Sequence, residues 1–142
     1  VVDDFNSIYK LKRGINIFYK NDGKNKYLIY GIENRIEQII ANLLDNAISF
    51  SDDNKDVIVQ VSKSEDNKVY IKILDEGQGF KEKDTNKIFK RFYSNRPDKF
   101  GQHSGLGLNI VKNLVDLHNA TIKATNREDK KGASMEIEFP KV

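Results

Sequence analysis

The stretch Val69-Tyr70-Ile71-Lys72-Ile73-Leu74-Asp75-Glu76-Gly77-Gln78-Gly79-Phe80 decides how this chain is read. Apolar residues at 69, 71 and 73 alternate with Tyr70 and Lys72, the period of a strand with one buried face. The alternation stops at an acidic residue, and two glycines follow at spacing two. Upstream, Val57, Val59 and Val61 alternate in the same way, and the polar stretch Lys63–Lys68 separates the two runs, so the pair is a hairpin. Asp and Gly are the usual residues of a strand-ending turn. They also suit a ligand: glycine lets backbone approach a flat molecule closely, and a carboxylate can accept a hydrogen bond from an exocyclic amine. Both readings of Asp75–Phe80 stand on the stretch alone.

Working outward, Asn16–Tyr19 and Tyr27–Tyr30 read as two short strands joined by the turn Asn21-Asp22-Gly23. A helix follows from about Glu33 to Phe50, with an apolar stripe of Ile36, Ile40, Leu43 and Ala47 at helical spacing. Beyond Phe80, residues 81–104 show little periodicity apart from a short turn near Ile88–Tyr93. Leu106–His118 reads as a helix that is apolar on most sides and therefore mostly buried. Thr121–Thr125 and Ala133–Phe139 form a last hairpin across Asn126–Gly132. In its second strand Ala133, Met135, Ile137 and Phe139 face inward, and Ser134, Glu136 and Glu138 outward. Hairpins outnumber crossovers. This order predicts an α+β fold: a two-layer sandwich in which helices cover one face of a mixed, mainly antiparallel sheet, rather than a doubly wound parallel fold.

The bulk composition agrees with one domain spanning 1–142. At 142 residues a chain buries roughly 70% of its unfolded surface, enough for its own core. With 38% hydrophobic and 32% charged residues it is not a disordered chain. The formal net charge of +3 and the lack of a basic stripe point away from nucleic acid and from membrane contact. The absence of cysteine excludes disulfides, thiolate metal sites and cysteine nucleophiles. No apolar run approaches the roughly 18 residues that a membrane span needs. The chain begins with Val1 rather than methionine, so it is expected to be a piece of a longer protein, whose membrane anchor could lie elsewhere.

Two more stretches can carry chemistry. In Asn42-Leu43-Leu44-Asp45-Asn46-Ala47, Asn42 and Asn46 are four apart and lie one above the other on the first helix, with Ser49 and Phe50 toward the same side. Amide oxygens aligned at a core border suit a metal or polar ligand, although a solvated helix face has the same pattern. Gly101-Gln102-His103-Ser104-Gly105-Leu106-Gly107-Leu108 runs straight into the second helix, where backbone N–H groups form an anion site that glycines make accessible. It is neither a Walker loop nor a dinucleotide fingerprint, and a glycine loop by itself is a weak signal.

In this order and at these separations, the stretches resemble the histidine-kinase branch of the ATPase superfamily that also holds DNA gyrase, MutL and the ninety-kilodalton heat-shock chaperone. Asn42–Ala47 resembles that family's asparagine box, Asp75–Gly79 its first glycine box (D-x-G-x-G), and Gly101–Leu108 its second (G-x-x-x-G-L-G-L). Ile88-Phe89-Lys90-Arg91-Phe92-Tyr93 resembles the phenylalanine box, which separates histidine kinases from the gyrase-like and anti-sigma-factor branches. The likeness covers about residues 15–140 and implies a Bergerat-type ATP-binding fold.

The resemblance implies ATP and Mg²⁺ as cofactors and assigns roles. Asp75 would hydrogen-bond the adenine amine, while Gly77, Gly79 and Phe80 pass beneath the base. Asn46 would offer an amide oxygen to Mg²⁺, a cation that prefers oxygen ligands and is usually shared with phosphates and water. Asn42 stands where gyrase-like members keep a glutamate base, which favours phosphoryl transfer over hydrolysis. Phe50 would pack near the base or ribose. Ser104, Gly105, Leu106, Gly107 and Leu108 would surround the phosphates, and residues 81–104 would form the lid. Ser49 departs from the family's frequent basic residue, and Arg91, Arg96 or Lys99 is left to compensate. Asn119-Ala120 replaces a frequent Gly-Gly.

The implied activity is donation of the γ-phosphoryl group of ATP to a histidine on a separate dimerisation domain, within a two-component system that ends at a response regulator. No such acceptor segment is present here, so the isolated chain is expected to be a cytoplasmic, monomeric catalytic domain that does not autophosphorylate. Its parent is expected to be anchored in the cytoplasmic membrane. Of the two histidines, His103 is a lid residue, and His118 reads as a helix C-terminal residue favoured by the dipole. The alternatives are a non-catalytic nucleotide-binding module, or a serine kinase or ATPase of the same superfamily.

Overall fold

The computed structural model describes residues 14–24, 27–80, 88–89 and 107–142. The described elements are β1 (Asn16–Asn21), α1 (Glu33–Phe50), β2 (Asp56–Lys63), β3 (Val69–Leu74), α2 (Gly107–Leu117), β4 (Thr121–Asn126) and β5 (Ala133–Phe139). They build a five-stranded sheet in the order β1-β2-β3-β5-β4. β1 runs parallel to β2, and the other three pairings are antiparallel. The mixed sheet with its helices is the architecture expected from the hairpin-rich order.

Register fixes which side chains share a face. Tyr19, Val59, Ile73, Met135 and Ala124 lie side by side in one row, and Val61, Ile71, Ile137 and Ile122 in the next. Most of these enter a single apolar cluster with Ile39, Leu43, Leu44, Ala47 and Ile48 of α1 and Val111 and Val115 of α2. Burying each such side chain contributes about 1.5–3 kcal/mol, so this layer supplies most of the stabilisation. The opposite face carries polar cross-strand pairs such as Lys72–Glu136 at 3.6 Å and Tyr70 Oη donating to Glu138 at 2.6 Å.

Several expectations need correction. Residues 27–30 form no strand, and no hairpin closes at Asn21–Gly23. Asp22 N–H donates to the Val61 carbonyl, and the Asp22 carboxylate accepts the Lys63 N–H and the Tyr27 hydroxyl. These bonds carry the chain onward along β2 instead of folding it back. Tyr27 and Ile29 still pack inward and Leu28 and Tyr30 face outward, so a segment outside the described strands has the alternation of a strand. On α1 the buried face centres on Ile39, Leu43, Leu44, Ala47 and Ile48, with Ile36 and Ile40 at its margin. On α2 only Val111 and Val115 are buried, while Ile110 and Leu117 are exposed: the helix is amphipathic. Ser134 is buried although its neighbours Glu136 and Glu138 on the same face are not.

His118 is also not a solvent-facing charge at a helix end. It is 8% exposed; its Nε2 accepts the Ile32 N–H at 3.1 Å and its Nδ1 lies 2.7 Å from the Leu114 carbonyl. Since Nε2 accepts, Nδ1 carries the proton and donates, which is the neutral ring. His118 thereby joins the C-terminal end of α2 to the start of α1. Asn119, at φ +56, closes α2. Ala120 N–H donates to Val115 O and Asn119 N–H to Asp116 O, the paired bonds of a Schellman cap. Asparagine tolerates this left-handed position, which explains why the turn forms without glycine.

Candidate nucleotide site

The alternation that places Val69, Ile71 and Ile73 on the inner face continues to Asp75, which sits opposite Ala133. Its side chain therefore enters the layer between sheet and helices, at the end of the sheet where α1 finishes. Asp75 is 3% exposed. Its Oδ1 accepts the Gly77 N–H and the Ala133 N–H, each at 3.0 Å. Its backbone N–H donates to Ala133 O at 3.0 Å, and Arg127 Nη1 donates to its carbonyl at 3.1 Å. A buried carboxylate is tolerated only with such donors. The result is an acidic group with fixed orientation.

The glycines after it face structural neighbours. Gly77 pairs with Ser51, the residue just past α1, and the Ser51 hydroxyl accepts the Glu76 N–H at 3.3 Å. Gly79 adopts φ +78, and a Cβ there would lie 2.6 Å from Asn126 Oδ1. Phe80 is buried, and its backbone N–H and C=O bond the Asn126 amide at 2.6 and 3.1 Å. Glu76 accepts the Asp56 N–H at 2.8 Å and pairs with Lys130 at 3.5 Å. Burial pushes its carboxyl up, but the Asp56 N–H and the Lys130 ammonium outweigh this and hold it below the ordinary carboxylate value.

Asn42 and Asn46 lie half-buried on α1, one turn apart and about 6 Å along the axis. Among the described residues, no hydrogen bond ties either amide. Ser49 is half-buried and Phe50 buried at the same end of the helix. The Ser51–Gly77 bridge brings this end against the Asp75–Phe80 stretch. Gly107 opens α2, with nothing among the described residues within 4 Å of the place a Cβ would take, and Leu108 is half-buried beside it. Ile88 and Phe89 are core residues, and Asn109 Nδ2 donates to the Phe89 carbonyl at 3.2 Å, tying α2 to the phenylalanine-box segment. Ser104, Gly105, Leu106, His103, Arg91, Arg96, Lys99 and, apart from Ile88 and Phe89, the rest of the expected lid lie outside the described residues.

The geometry thus brings Asp75, Gly77, Gly79, Phe80 and the C-terminal half of α1 to one edge of the sandwich. Sequence reasoning did not single out Asn126, Arg127 or Gly132, the residues of the β4–β5 hairpin that hold this loop. An Asn-Arg pair at a strand end gives no signal of its own. No group of three or more His, Cys, Asp or Glu able to hold a metal occurs among the described residues. The amide oxygen of Asn46 is a suitable hard ligand, but it is a single one, as suits Mg²⁺ that arrives with phosphates and water.

Comparison with known proteins agrees with this arrangement. Residues 31–142 match the family model described as histidine kinase-, DNA gyrase B-, and HSP90-like ATPase. The sensor protein ChvG of Agrobacterium fabrum is 35% identical over 139 residues, covering 93% of this chain and 23% of that protein. The sensor histidine kinase WalK of Bacillus subtilis is 34% identical over 112 residues, covering 76% of this chain and 18% of that one. Across eight such curated relatives the chain spans between 8% and 31% of their length. The catalytic domain of histidine kinase ThkA superposes with TM-score 0.82 at 26% identity, over 99% of this chain and 88% of that one. Full-length ShkA in complex with AMPPNP does so with TM-score 0.81 at 25% identity, over 98% and 28%. The chain belongs to the histidine kinase-, DNA gyrase B-, and HSP90-like ATPase family, and the relatives it resembles here are sensor kinases.

Proposed function

We propose that this chain binds Mg-ATP and donates the γ-phosphoryl group to a histidine on a separate dimerisation domain of its parent kinase. The observation that carries this is Asp75: a buried carboxylate, fixed by two N–H donors at the inner end of β3, beside a glycine-bearing loop and the end of α1. In this reading Asp75 accepts a hydrogen bond from the adenine amine, and Gly77, Gly79 and Phe80 pass beneath the base. Phe50 packs near the base or ribose. In this reading the N–H groups of Gly107 and Leu108, at the N-terminus of α2, face the phosphates. Asn46 would hold Mg²⁺, which when bound offsets negative charge on the phosphates. Asn42, an amide and not a base, does not activate water.

The acceptor imidazole nitrogen attacks the γ-phosphorus, the bond to the β–γ bridging oxygen breaks, and ADP leaves. Positioning and charge stabilisation carry such transfers, with little covalent work for the protein. His118 is not the acceptor, because both its ring nitrogens are engaged and the ring is buried. The chain alone is expected to be a monomer that does not label itself, because in this reading the acceptor histidine and the dimer contacts belong to the separate domain. The AMPPNP complex of ShkA supports the nucleotide, and ThkA solved in complex with response regulator TrrA supports a downstream regulator. The test is incubation with γ-labelled ATP, with and without a dimerisation domain carrying the acceptor histidine. Acid-labile label on that domain alone is expected. Acid-stable label would point to serine, and no label despite nucleotide binding would leave only a binding module.

A further inference from the structure

We infer that the β4–β5 hairpin, through Asn126 at its first corner, is a positioning device for the base-binding loop, and that Asn126 sets nucleotide affinity without touching the nucleotide. The inference rests on the proposed nucleotide site and extends it to residues that carry no family motif.

The Asn126 amide bonds both backbone groups of Phe80, accepting its N–H at 2.6 Å and donating to its carbonyl at 3.1 Å. These are the bonds a neighbouring strand would supply, yet Gly79 and Phe80 lie beyond β3 and belong to no strand. The close approach is possible because residue 79 has no side chain: a Cβ would come within 2.6 Å of Asn126 Oδ1 and 3.3 Å of the Gly132 carbonyl. Gly79 is therefore required by the hairpin as well as by any ligand. The next residue works on the other end of the loop. Arg127, whose side chain is 3% exposed, donates from Nη1 to the Asp75 carbonyl, while Nε and Nη2 bond Asp129 at 3.0 and 2.8 Å. Its backbone N–H donates to Gly132 O, closing the hairpin. Asp75 and Phe80 are thus both held by two consecutive residues of one corner, and the Gly77–Gly79 backbone between them is suspended at a fixed height.

Loss of the Asn126 clamp leaves the bonds of Asp75 in place but removes two of the bonds that hold the Phe80 backbone. The loop then occupies its binding-competent position for only part of the time, and the apparent Kd rises in inverse proportion to that fraction. Two hydrogen bonds of ordinary net worth correspond to a rise of about five- to 140-fold.

The experiment is calorimetric titration of the chain with AMPPNP and with ADP, at a temperature where circular dichroism shows every variant folded, together with melting in the absence of nucleotide. The variants are Asn126→Ala, Asn126→Asp, which keeps the acceptor for the Phe80 N–H but not the donor, and the exposed neighbour Lys123→Ala as control. The expected result is a similar loss for both ligands in Asn126→Ala, a smaller loss in Asn126→Asp and none in Lys123→Ala. If Asn126 merely supports the fold, its variants melt earlier but bind with the parent Kd, which overturns the inference and leaves the nucleotide site standing. Should Asn126→Ala not fold, parent-like binding by Asn126→Asp overturns it, and weakened binding supports it. If the parent chain binds neither ligand, the proposed site and this inference fall together.

Discussion

Replacing Gly132 by alanine tests the junction between fold and site most sharply. The new Cβ would stand 2.0 Å from the Asp75 carbonyl oxygen and 2.9 Å from its carbon, at a residue whose φ is +142°. Both obstacles are backbone, so no side-chain rotation relieves them. Either β5 or the end of β3 must shift, and the bonds at stake are Asp75 N–H to Ala133 O and Ala133 N–H to Asp75 Oδ1. Strain at an unfavourable backbone position costs about 1–3 kcal/mol, and overpacking adds about 1–3 kcal/mol. A total near 4 kcal/mol lowers the melting midpoint of a domain this size by roughly 8–16 °C. The assay is thermal unfolding without nucleotide, with Gly107→Ala as the contrast, since nothing among the described residues lies within 4 Å of a Cβ there. That control should melt at or slightly above the parent, because alanine is favoured over glycine in helices by up to about 1 kcal/mol. A Gly132→Ala chain that melts within about 2 °C of the parent would refute the packing argument.

Two further outcomes follow from the bonds described. His118→Ala removes a buried ring and leaves the Ile32 N–H without its acceptor, so it should destabilise the chain by about 2–4 kcal/mol in chemical denaturation; a loss under about 0.5 kcal/mol would contradict the role given to this bridge. The Tyr27 hydroxyl first, and then the Lys63 N–H, lower the Asp22 carboxyl from 3.8 to about 2. A lowered folded-state value stabilises above the unfolded value and is lost as pH falls, so the difference in melting temperature between the parent and Asp22→Asn should shrink between about pH 4 and pH 2. A difference that stays constant across that window would rule out this contribution.

Much of the fold was legible because burial imposes a period. The bounds of α1, the hairpin β2–β3 and the inward set of β5 follow from alternation or helical spacing alone. What failed, failed where the same period has two causes. Tyr27–Tyr30 alternates because one side of it lies against the core, and only the Asp22 bonds to β2 show that no hairpin closes at the turn before it. The helix α2 was read as buried because its composition is apolar, but Ile110 and Leu117 face outward. In the site, Asp75 and its glycines were legible as a strand end with special chemistry. That Gly79 and Gly132 make room for the opposing hairpin was not, since a close approach between segments some fifty residues apart leaves no local mark.

The central claim is that Asp75 reads adenine, and calorimetric titration of AMPPNP into the chain and into Asp75→Asn, with and without Mg²⁺, tests it most directly. Oδ1 is held by the Gly77 and Ala133 N–H groups, so the asparagine should keep its oxygen there and turn its amide nitrogen to the other position. The fold survives, and a donor replaces the acceptor the adenine amine needs. The account predicts that the parent binds, more tightly with Mg²⁺, and that the folded variant loses binding. Equal binding by both chains, or none by either while folded, would contradict it.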